Sequence, residues 1–286
     1  MTKFLTELIT DKTPILNLEP NTNISKEEKI EVIGVNSSLL EQYIKYMYYK
    51  NNYWYYFKKD EDNGAFPFYI IDELMGTYLA KKRNLPTVSY EIAQVSNNYG
   101  LASINFKNKK NIYYNLESLL ASVKFITSID NIERLKNYTI NELNEQQFMS
   151  HLFNLFALDI HMLQKDRGYA NLQFQIDKET NYFDIAPLYD YSNCSSKVGL
   201  SGINIINKIT RLDYLNIEKL ARKYPEFKEC LELCLEHNMK EIWGQICLDY
   251  KFNQDCSAYE SVKDYYEIKD KSQKQYIKEL LIDIKR

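Results

Sequence analysis

Short aromatic runs separated by Asn-rich turns mark the first third of the chain. Aromatic and β-branched residues favour strands, and they dominate the runs at 43–49, 53–57, 88–95 and 99–106. Between the second and third runs, apolar residues recur with the spacing of one helical face at Ile71, Leu74, Met75, Tyr78 and Leu79. The pattern therefore predicts a small sheet carrying one helix, after a polar lead-in over residues 1–30.

Beyond a polar break at 108–110, the apolar pattern becomes mainly helical. Helices are predicted over 116–126, over 145–163 and over most of 214–286. The helix at 145–163 is apolar on most sides, which is typical of a buried helix. Alternating apolar residues on either side of a polar turn then predict a β-hairpin over 172–185.

These two patterns together predict an α+β fold of two lobes. A chain of 286 residues is long enough for two lobes that share a cleft. We place the β-rich N-lobe with its one helix at 1–107 and the larger, mostly helical C-lobe at 108–286. The segment 102–108 would be the hinge between them.

Charge and composition narrow the class of protein. The formal net charge of −3 argues against a broad nucleic-acid-binding surface. No stretch approaches the ~18 consecutive apolar residues of a membrane span, and the first residues are too acidic for a secretory signal peptide. The 5 cysteines include no Cys-x-x-Cys pair, which favours reduced thiols over a zinc site. We therefore expect a cytoplasmic protein, or one secreted by a route that needs no signal peptide.

Three polar residues around the predicted hairpin suggest phosphoryl-transfer chemistry. Asp166 and Asn171 lie on one short loop after the buried helix, and Asp190 follows the returning strand in Ala186-Pro-Leu-Tyr-Asp190. Phosphoryl transfer needs a carboxylate that orients the attacking hydroxyl and oxygen ligands that hold Mg²⁺ on the phosphates. Asp166 is the predicted base, and Asn171 and Asp190 are the predicted Mg²⁺ ligands. Turn capping is the structural alternative for the Asp-x4-Asn pair.

A lysine and a glutamate in the first half complete the predicted nucleotide site. Lys58 ends an aromatic strand and Glu73 lies near the start of the helix, an arrangement that grips the α- and β-phosphates in kinases. Lys59 is the competing lysine, and we prefer Lys58 because it shares a strand face with Trp54 and Tyr56. A surface ion pair remains the alternative role for these charges.

Two further segments are candidates for contacts with ATP. Gly34, Ser37 and Ser38 precede the lysine strand, where a loop over the phosphates would lie, although no GxGxxG or P-loop motif is present. An ordinary hairpin turn is the alternative there. Ile104 and Phe106 lie in the predicted hinge, where backbone groups would meet the adenine edge and the Phe106 ring would pack on the base. Core packing is the alternative.

These motifs resemble those of the HipA-like serine/threonine kinases, which include bacterial toxin kinases and smaller secreted kinases. The resemblance covers roughly residues 30–260, and it is more distant to phosphatidylinositol kinases. Its most specific parts are Asp166 to Asn171 and the Pro-Leu-Tyr-Asp segment that ends at Asp190. The helix segment that contains Glu73 and ends in Asn84-Leu-Pro86 is similar to the family's glutamate helix.

The resemblance implies a bilobal protein kinase that uses ATP and Mg²⁺. It implies the site roles given above, autophosphorylation on Ser37 or Ser38, and a protein substrate with a Ser or Thr acceptor. A cognate antitoxin or a host protein would be its partner, and its role would be that of a toxin or effector. The chain departs from the family pattern at Gly168, where many relatives have His, and at Ile104, where a hinge Glu is expected.

Two other functions remain open from the sequence. One is a kinase of a small molecule or a lipid headgroup, which the surface composition does not separate from a protein kinase. The other is a nucleotide-binding pseudokinase that acts through a partner, against which the joint presence of Lys58, Asp166, Asn171 and Asp190 counts.

Overall fold

A computed structural model of the chain describes residues 4–19, 47–60, 68–120, 128–164, 172–191, 194 and 214–285. The chain divides into two compact units, each assembled from separate stretches of sequence. The first unit comprises Met1–Asp62, Val88–Lys109 and Cys247–Glu260, and the second comprises Asn63–Thr87, Lys110–Ile246 and Ser261–Arg286. The break at Lys109 lies beside the predicted boundary, whereas the predicted N-lobe helix is part of the second unit. The assignment of 1–107 and 108–286 as kinase lobes stays a prediction.

The first unit is built on a five-stranded mixed sheet. Its strands are β1 (Leu16–Leu18), β2 (Met47–Lys50), β3 (Tyr53–Lys59), β4 (Tyr90–Val95) and β5 (Asn98–Ile104). Their order is β1-β4-β5-β3-β2, in which only the β1–β4 pair is parallel. The Lys50 ammonium on β2 donates to the Asn17 carbonyl on β1. Because these strands are the two ends of the sheet order, this bond indicates that the sheet curls toward closure.

One face of this sheet carries an apolar cluster: Leu18, Tyr55, Phe57, Ala93, Val95 and Ala102. A short helix, α1 (Phe4–Leu8), adds the buried Leu5 and Leu8. The Leu5 amide donates to the Asp60 carboxylate at 2.9 Å. The interpretation of residues 1–30 as a polar lead-in was therefore wrong for α1 and β1, which are too short to give a readable apolar period.

The second unit contains the glutamate helix and most of the helical residues. Its first elements are α2 (Tyr69–Lys82), the strand β6 (Asn111–Asn115), and the helices α3 (Leu116–Leu119), α4 (Ile129–Lys136) and α5 (Glu142–Met162). The hairpin β7 (Gln173–Asp177) and β8 (Phe183–Ile185) follows, and β6 pairs with β7 to make a three-stranded antiparallel sheet. The remaining helices are α6 (Tyr214–Lys223), α7 (Pro225–Glu236), α8 (Met239–Tyr250) and α9 (Ser257–Lys285), of which α8 and α9 contribute residues to both units.

Helix α5 delivers the chain to the predicted catalytic loop. Asn141 caps its first turn by accepting from the Asn144 amide at 2.9 Å, and Leu163 ends it in the left-handed conformation at φ 58°. Its residues from Leu155 to Met162 are all buried, as the apolar pattern predicted. The sheet and the mainly helical remainder confirm the predicted α+β class. The strand β6 was not predicted, because only five residues separate the polar break from the helix that follows.

Candidate active site

The predicted site residues are unevenly covered by the structure. Gly34, Ser37, Ser38, Asp166 and Asn171 lie outside the described residues. Lys58, Ile104 and Phe106 belong to the first unit, whereas Glu73 and Asp190 belong to the second. In the second unit, the described part of the predicted site therefore consists of Glu73, Asp190 and the residues around them.

The segment that carries Asp190 is fixed against the chain that follows α2. Leu188 forms a parallel bridge with Thr87, and its amide donates to the Pro86 carbonyl at 2.8 Å. The Thr87 hydroxyl donates to the Leu188 carbonyl at 3.1 Å. These bonds hold the backbone two residues before Asp190, so the fold fixes the path of the chain that leads to it.

Asp190 itself has the left-handed backbone conformation, with φ 59°. An aspartate tolerates this conformation better than most residues, but the conformation is uncommon for any residue other than glycine. Non-glycine residues in this region concentrate at functional sites, where the surrounding structure holds them in place. The neighbours of Asp190 supply that restraint.

Two buried side chains hold the peptide group between Asp190 and Tyr191, one at its carbonyl and the other at its amide. The Gln164 side-chain amide donates to the Asp190 carbonyl at 2.9 Å. The Tyr191 amide donates to the Glu73 carboxylate at 2.9 Å. Gln164 is 1% exposed and Glu73 is 0% exposed. The bond to Glu73 is fully buried and the bond from Gln164 is partly buried. A hydrogen bond to a charged group in such surroundings is stronger than one between neutral groups.

The Tyr191 side chain packs directly on α2. An added Cβ on Gly76 would lie 2.2 Å from Cγ of the Tyr191 ring, so only glycine fits beneath this ring. Tyr191 is fully buried. The residue after Asp190 is therefore held through its amide by Glu73 and through its ring by the surface of α2 at Gly76.

Beside Glu73, α2 carries a second fully buried carboxylate. Asp72 accepts a hydrogen bond from the Tyr266 hydroxyl of α9 at 2.7 Å. Burial raises the pKa of Tyr266 far above its ordinary value, and the negative charge of Asp72 is the next largest cause. The phenol therefore stays protonated and can donate. The first turn of α2 is thus tied to α9 at the residue next to Glu73.

In the first unit, the sheet register separates the two candidate lysines. Lys58 pairs with Leu101 and Lys59 pairs with Gly100. Because strand residues alternate between faces, Lys59 shares the face of Tyr55 and Phe57, which belong to the apolar cluster, and Lys58 lies on the opposite face. The preference for Lys58 and the pairing of Lys58 with Glu73 stay predictions.

The predicted hinge residues follow the last strand of that sheet. Ile104 ends β5 and is 40% exposed, and Phe106 is half-buried two residues later. The Asn105 amide between them donates to the Trp54 carbonyl at 2.7 Å, which ties the segment to β3. Contact of Ile104 or Phe106 with adenine stays a prediction.

The donor chemistry of the described site fits a hard cation only in part. The Asp190 carboxylate belongs to a half-exposed residue, and carboxylate oxygens are the ligands that Mg²⁺ prefers. Within the described parts of the chain, no group of three or more His, Cys, Asp or Glu side chains is arranged to hold a metal ion. Asn171, the other predicted ligand, would contribute an amide oxygen, which is also a hard ligand.

Sequence reasoning missed Gln164, Asp72 and Tyr191 as parts of this site. Gln164 lies two residues before Asp166 and Tyr191 lies one residue after Asp190, so proximity to the motif was the available signal. Asp72 lies directly before Glu73, but its contact with Tyr266 had no signal, because the two residues are 194 positions apart in the sequence.

Comparisons with known proteins show that the fold of this chain is similar to that of solved kinases. No family profile matches the sequence, and no curated protein matches it either. Among solved structures, the proinflammatory kinase CtkA of Helicobacter pylori is 15% identical with a TM-score of 0.55, over 83% of this chain and 93% of CtkA. HipA of Shewanella oneidensis, solved with HipB and operator DNA, is 11% identical with a TM-score of 0.61, over 96% of this chain and 76% of HipA.

This chain has the fold of HipA and CtkA. The predicted α+β kinase-like fold is therefore confirmed, and so is the resemblance to HipA-like kinases at the level of the fold. One fold supports many activities, so the chemistry has to be inferred from the site.

Proposed function

We propose that the protein is a kinase that uses ATP and Mg²⁺ to phosphorylate a Ser or Thr hydroxyl of a protein. The observation that carries the proposal is the restraint of Asp190 by Gln164 and Glu73, in a chain with the fold of two kinases. A backbone restrained at Asp190 suits phosphoryl transfer, which depends on positioning and electrostatic stabilisation.

Each residue has a defined role in this proposal. Asp166 orients the attacking hydroxyl and accepts its proton, and Asn171 and Asp190 hold Mg²⁺. Lys58 binds the α- and β-phosphates, and Glu73 holds Lys58 as well as the amide of Tyr191. When bound, Mg²⁺ supplies positive charge that neutralises the charge developing on the phosphate oxygens.

The remaining contacts with ATP come from the first half of the chain. Gly34, Ser37 and Ser38 would contact the phosphates, and Ser37 or Ser38 would be the site of autophosphorylation. Backbone groups at Ile104 and the ring of Phe106 would meet the adenine. These roles follow from the resemblance and from the order of the segments along the chain.

The partner is proposed from the same reasoning. The solved HipA structure contains HipB and operator DNA in a toxin–antitoxin complex. We propose that the present protein acts on a protein substrate and that a cognate antitoxin or a host protein binds it, in the cytoplasm or after secretion by a signal-peptide-independent route. Among the described helices, none is both long and apolar enough to cross a bilayer.

The deciding experiment is phosphate transfer from γ-labelled ATP with Mg²⁺, followed by intact mass measurement and site mapping. The wild type is compared with Asp166→Ala and with a matched control, Asp255→Ala, whose carboxylate lies on an exposed residue of the first unit. We expect the wild type and the control to gain phosphate and Asp166→Ala to gain none while remaining folded and binding ATP.

Each other result separates the alternatives. Transfer only to an added small molecule or lipid headgroup would favour the second class of kinase. Mg²⁺-dependent ATP binding without any transfer would favour a pseudokinase. Full turnover by Asp166→Ala would contradict the assignment of the base, and absence of both transfer and ATP binding would contradict the kinase proposal.

A further inference from the structure

Helix α9 carries a buried cation that the proposed phosphoryl transfer does not use. Lys269 is 5% exposed. Burying an ammonium without partners costs several kcal/mol, so a buried lysine is held by acceptors or opposite charges. The partners of Lys269 are therefore informative about its role.

The Lys269 ammonium contacts two segments that flank the candidate site. It donates to the Cys194 carbonyl at 2.9 Å, and it lies 3.8 Å from the Asp72 carboxylate of α2. The rings of Tyr265 and Tyr266 each lie 5.5 Å from the ammonium and provide cation–π contacts. Of these partners, Cys194 is the one that lies just after Asp190 in the sequence, four residues on.

The bond to Cys194 lies close to the residue that follows Asp190. The Cys194 amide donates to the Tyr191 carbonyl at 3.3 Å. Glu73 of α2 holds Tyr191 through its amide. Lys269 of α9, which lies beside Asp72, holds Cys194 through its carbonyl. Tyr191 and Cys194 are therefore bonded to each other, and each is fixed by a buried charged side chain.

We propose that Lys269 is a positioning residue that anchors the Cys194 backbone to α9, beside the first turn of α2, and thereby keeps the backbone of Asp190 in place. The consequence for phosphoryl transfer rests on the proposed function. The anchoring of Cys194 rests on the contacts alone, so the two can be tested separately.

Cysteine alkylation tests the anchoring without any assay of activity. Cys194 is 0% exposed, and the equally buried Cys234 and Cys247 are internal references within the same molecule. The folded protein is treated with iodoacetamide, and labelling of each cysteine is followed by mass spectrometry. Because alkylation of a buried thiol requires local opening, its rate reports how firmly Cys194 is held.

The informative pair of variants is Asp72→Asn and Asp72→Asn/Lys269→Met. Asn keeps an acceptor for the Tyr266 hydroxyl, and the double variant avoids a buried aspartate without its cation. We expect Asp72→Asn to leave Cys194 protected and the double variant to label Cys194 at least about tenfold faster, as the loss of a charge-assisted hydrogen bond predicts. Cys234 and Cys247 should stay protected, and Lys278→Met, an exposed change on α9, should change nothing.

Equal labelling of Cys194 in the two Asp72 variants would overturn the anchoring. If the two reference thiols open together with Cys194 in the double variant, Lys269→Arg decides. A protected Cys194 in Lys269→Arg supports the proposal, because Arg can still donate to the carbonyl, and an opened Cys194 overturns it.

The kinetic part of the proposal has its own readout. In the phosphate-transfer assay, we expect kcat of the double variant to fall about tenfold relative to Asp72→Asn, with little change in KM for ATP and recovery in Lys269→Arg. An unchanged kcat would overturn the positioning role even if Cys194 opens. If the wild type itself transfers no phosphate, the proposed function fails while the alkylation result still decides the anchoring.

Discussion

The two ends of α2 carry buried polar networks of similar size but different composition. At the first turn, Asp72 and Glu73 are carboxylates that face a phenol, an ammonium and a backbone amide. At the last turn, Arg83 is a guanidinium, 3% exposed, that donates to the Asn154 side chain, the Cys230 carbonyl and the Cys234 sulfur. Only the first network includes the chain next to a predicted catalytic residue.

The difference teaches that burial of polar groups alone does not mark an active site. Within the described residues, no carboxylate lies within ion-pair distance of Arg83, and its Nε has no hydrogen-bond partner. The neighbouring His237 has its pKa lowered to about 4, mainly by burial and next by the positive charge of Arg83. Arg83 therefore fastens α2 to α5 and α7, whereas Glu73 connects α2 to the residue after Asp190 and Asp72 connects it to α9.

The largest effect is expected from Glu73→Gln. The change removes the charge that receives the Tyr191 amide and leaves a neutral acceptor of the same shape. We expect phosphate transfer to fall about 10- to 100-fold, because a hydrogen bond to a charged group contributes roughly 1.5–3 kcal/mol. Steady-state kinetics beside Glu229→Gln, an exposed change on α7, measures it. Equal activity of the two variants would remove Glu73 from the site.

Gly76→Ala should disturb the same end of α2 through packing. The added methyl group would meet the fully buried Tyr191 ring, and such overpacking costs about 1–3 kcal/mol of unfolding free energy. The control is Gly244→Ala in α8, where an added Cβ has no neighbour within 4 Å and should stabilise by about 0.5–1 kcal/mol. Denaturant unfolding compares the two, and equal effects would refute the close approach.

Arg83→Met should act on stability without acting on catalysis. Asn154 and Cys234 lose a buried donor, so we expect a loss of about 1–2 kcal/mol of unfolding free energy. Activity per folded molecule should equal that of Arg134→Met, an exposed change on α4. A specific loss of kcat in Arg83→Met would mean that both ends of α2 serve the site.

The smallest expected effect is a pH dependence at the Arg83 end. Since the pKa of His237 is about 4 in the folded protein and about 6.5 when unfolded, the unfolded chain binds more protons between these values. Stability should therefore fall as pH drops from about 6.5 to 4. His237→Gln should make this fall shallower in thermal unfolding, whereas an unchanged pH profile would argue against a buried neutral imidazole.

Much of this arrangement was predictable where residues close in sequence determine it. The apolar stripe of α2, the buried α5 and the β7–β8 hairpin were predicted because each produces a regular period within one element. The Pro-Leu-Tyr-Asp segment pointed to Asp190 because it matches the motif of HipA-like kinases. Strand β6 was missed because it lies directly between the polar break and the next helix, and helix α1 was missed because it is little more than one turn long.

The buried network around Asp190 could not be predicted from the sequence. Glu73 and Tyr191 are 118 residues apart, and Lys269 and Cys194 are 75 apart. Lys269 lies on a long helix rich in exposed charges, where a lysine is usually a solvated residue. Only the fold brings these side chains together, and only burial distinguishes Lys269 from the lysines around it.

The central claim is that Asp190 is held as a metal ligand of a nucleotide site. Calorimetric titration of ATP into the wild type and Asp190→Ala, each with Mg²⁺ and with EDTA, tests this claim most directly. The account predicts that Mg²⁺ strengthens ATP binding to the wild type and that Asp190→Ala loses this Mg²⁺ dependence while keeping its fold. Equal Mg²⁺ dependence in both proteins, or no ATP binding by the wild type, would contradict it.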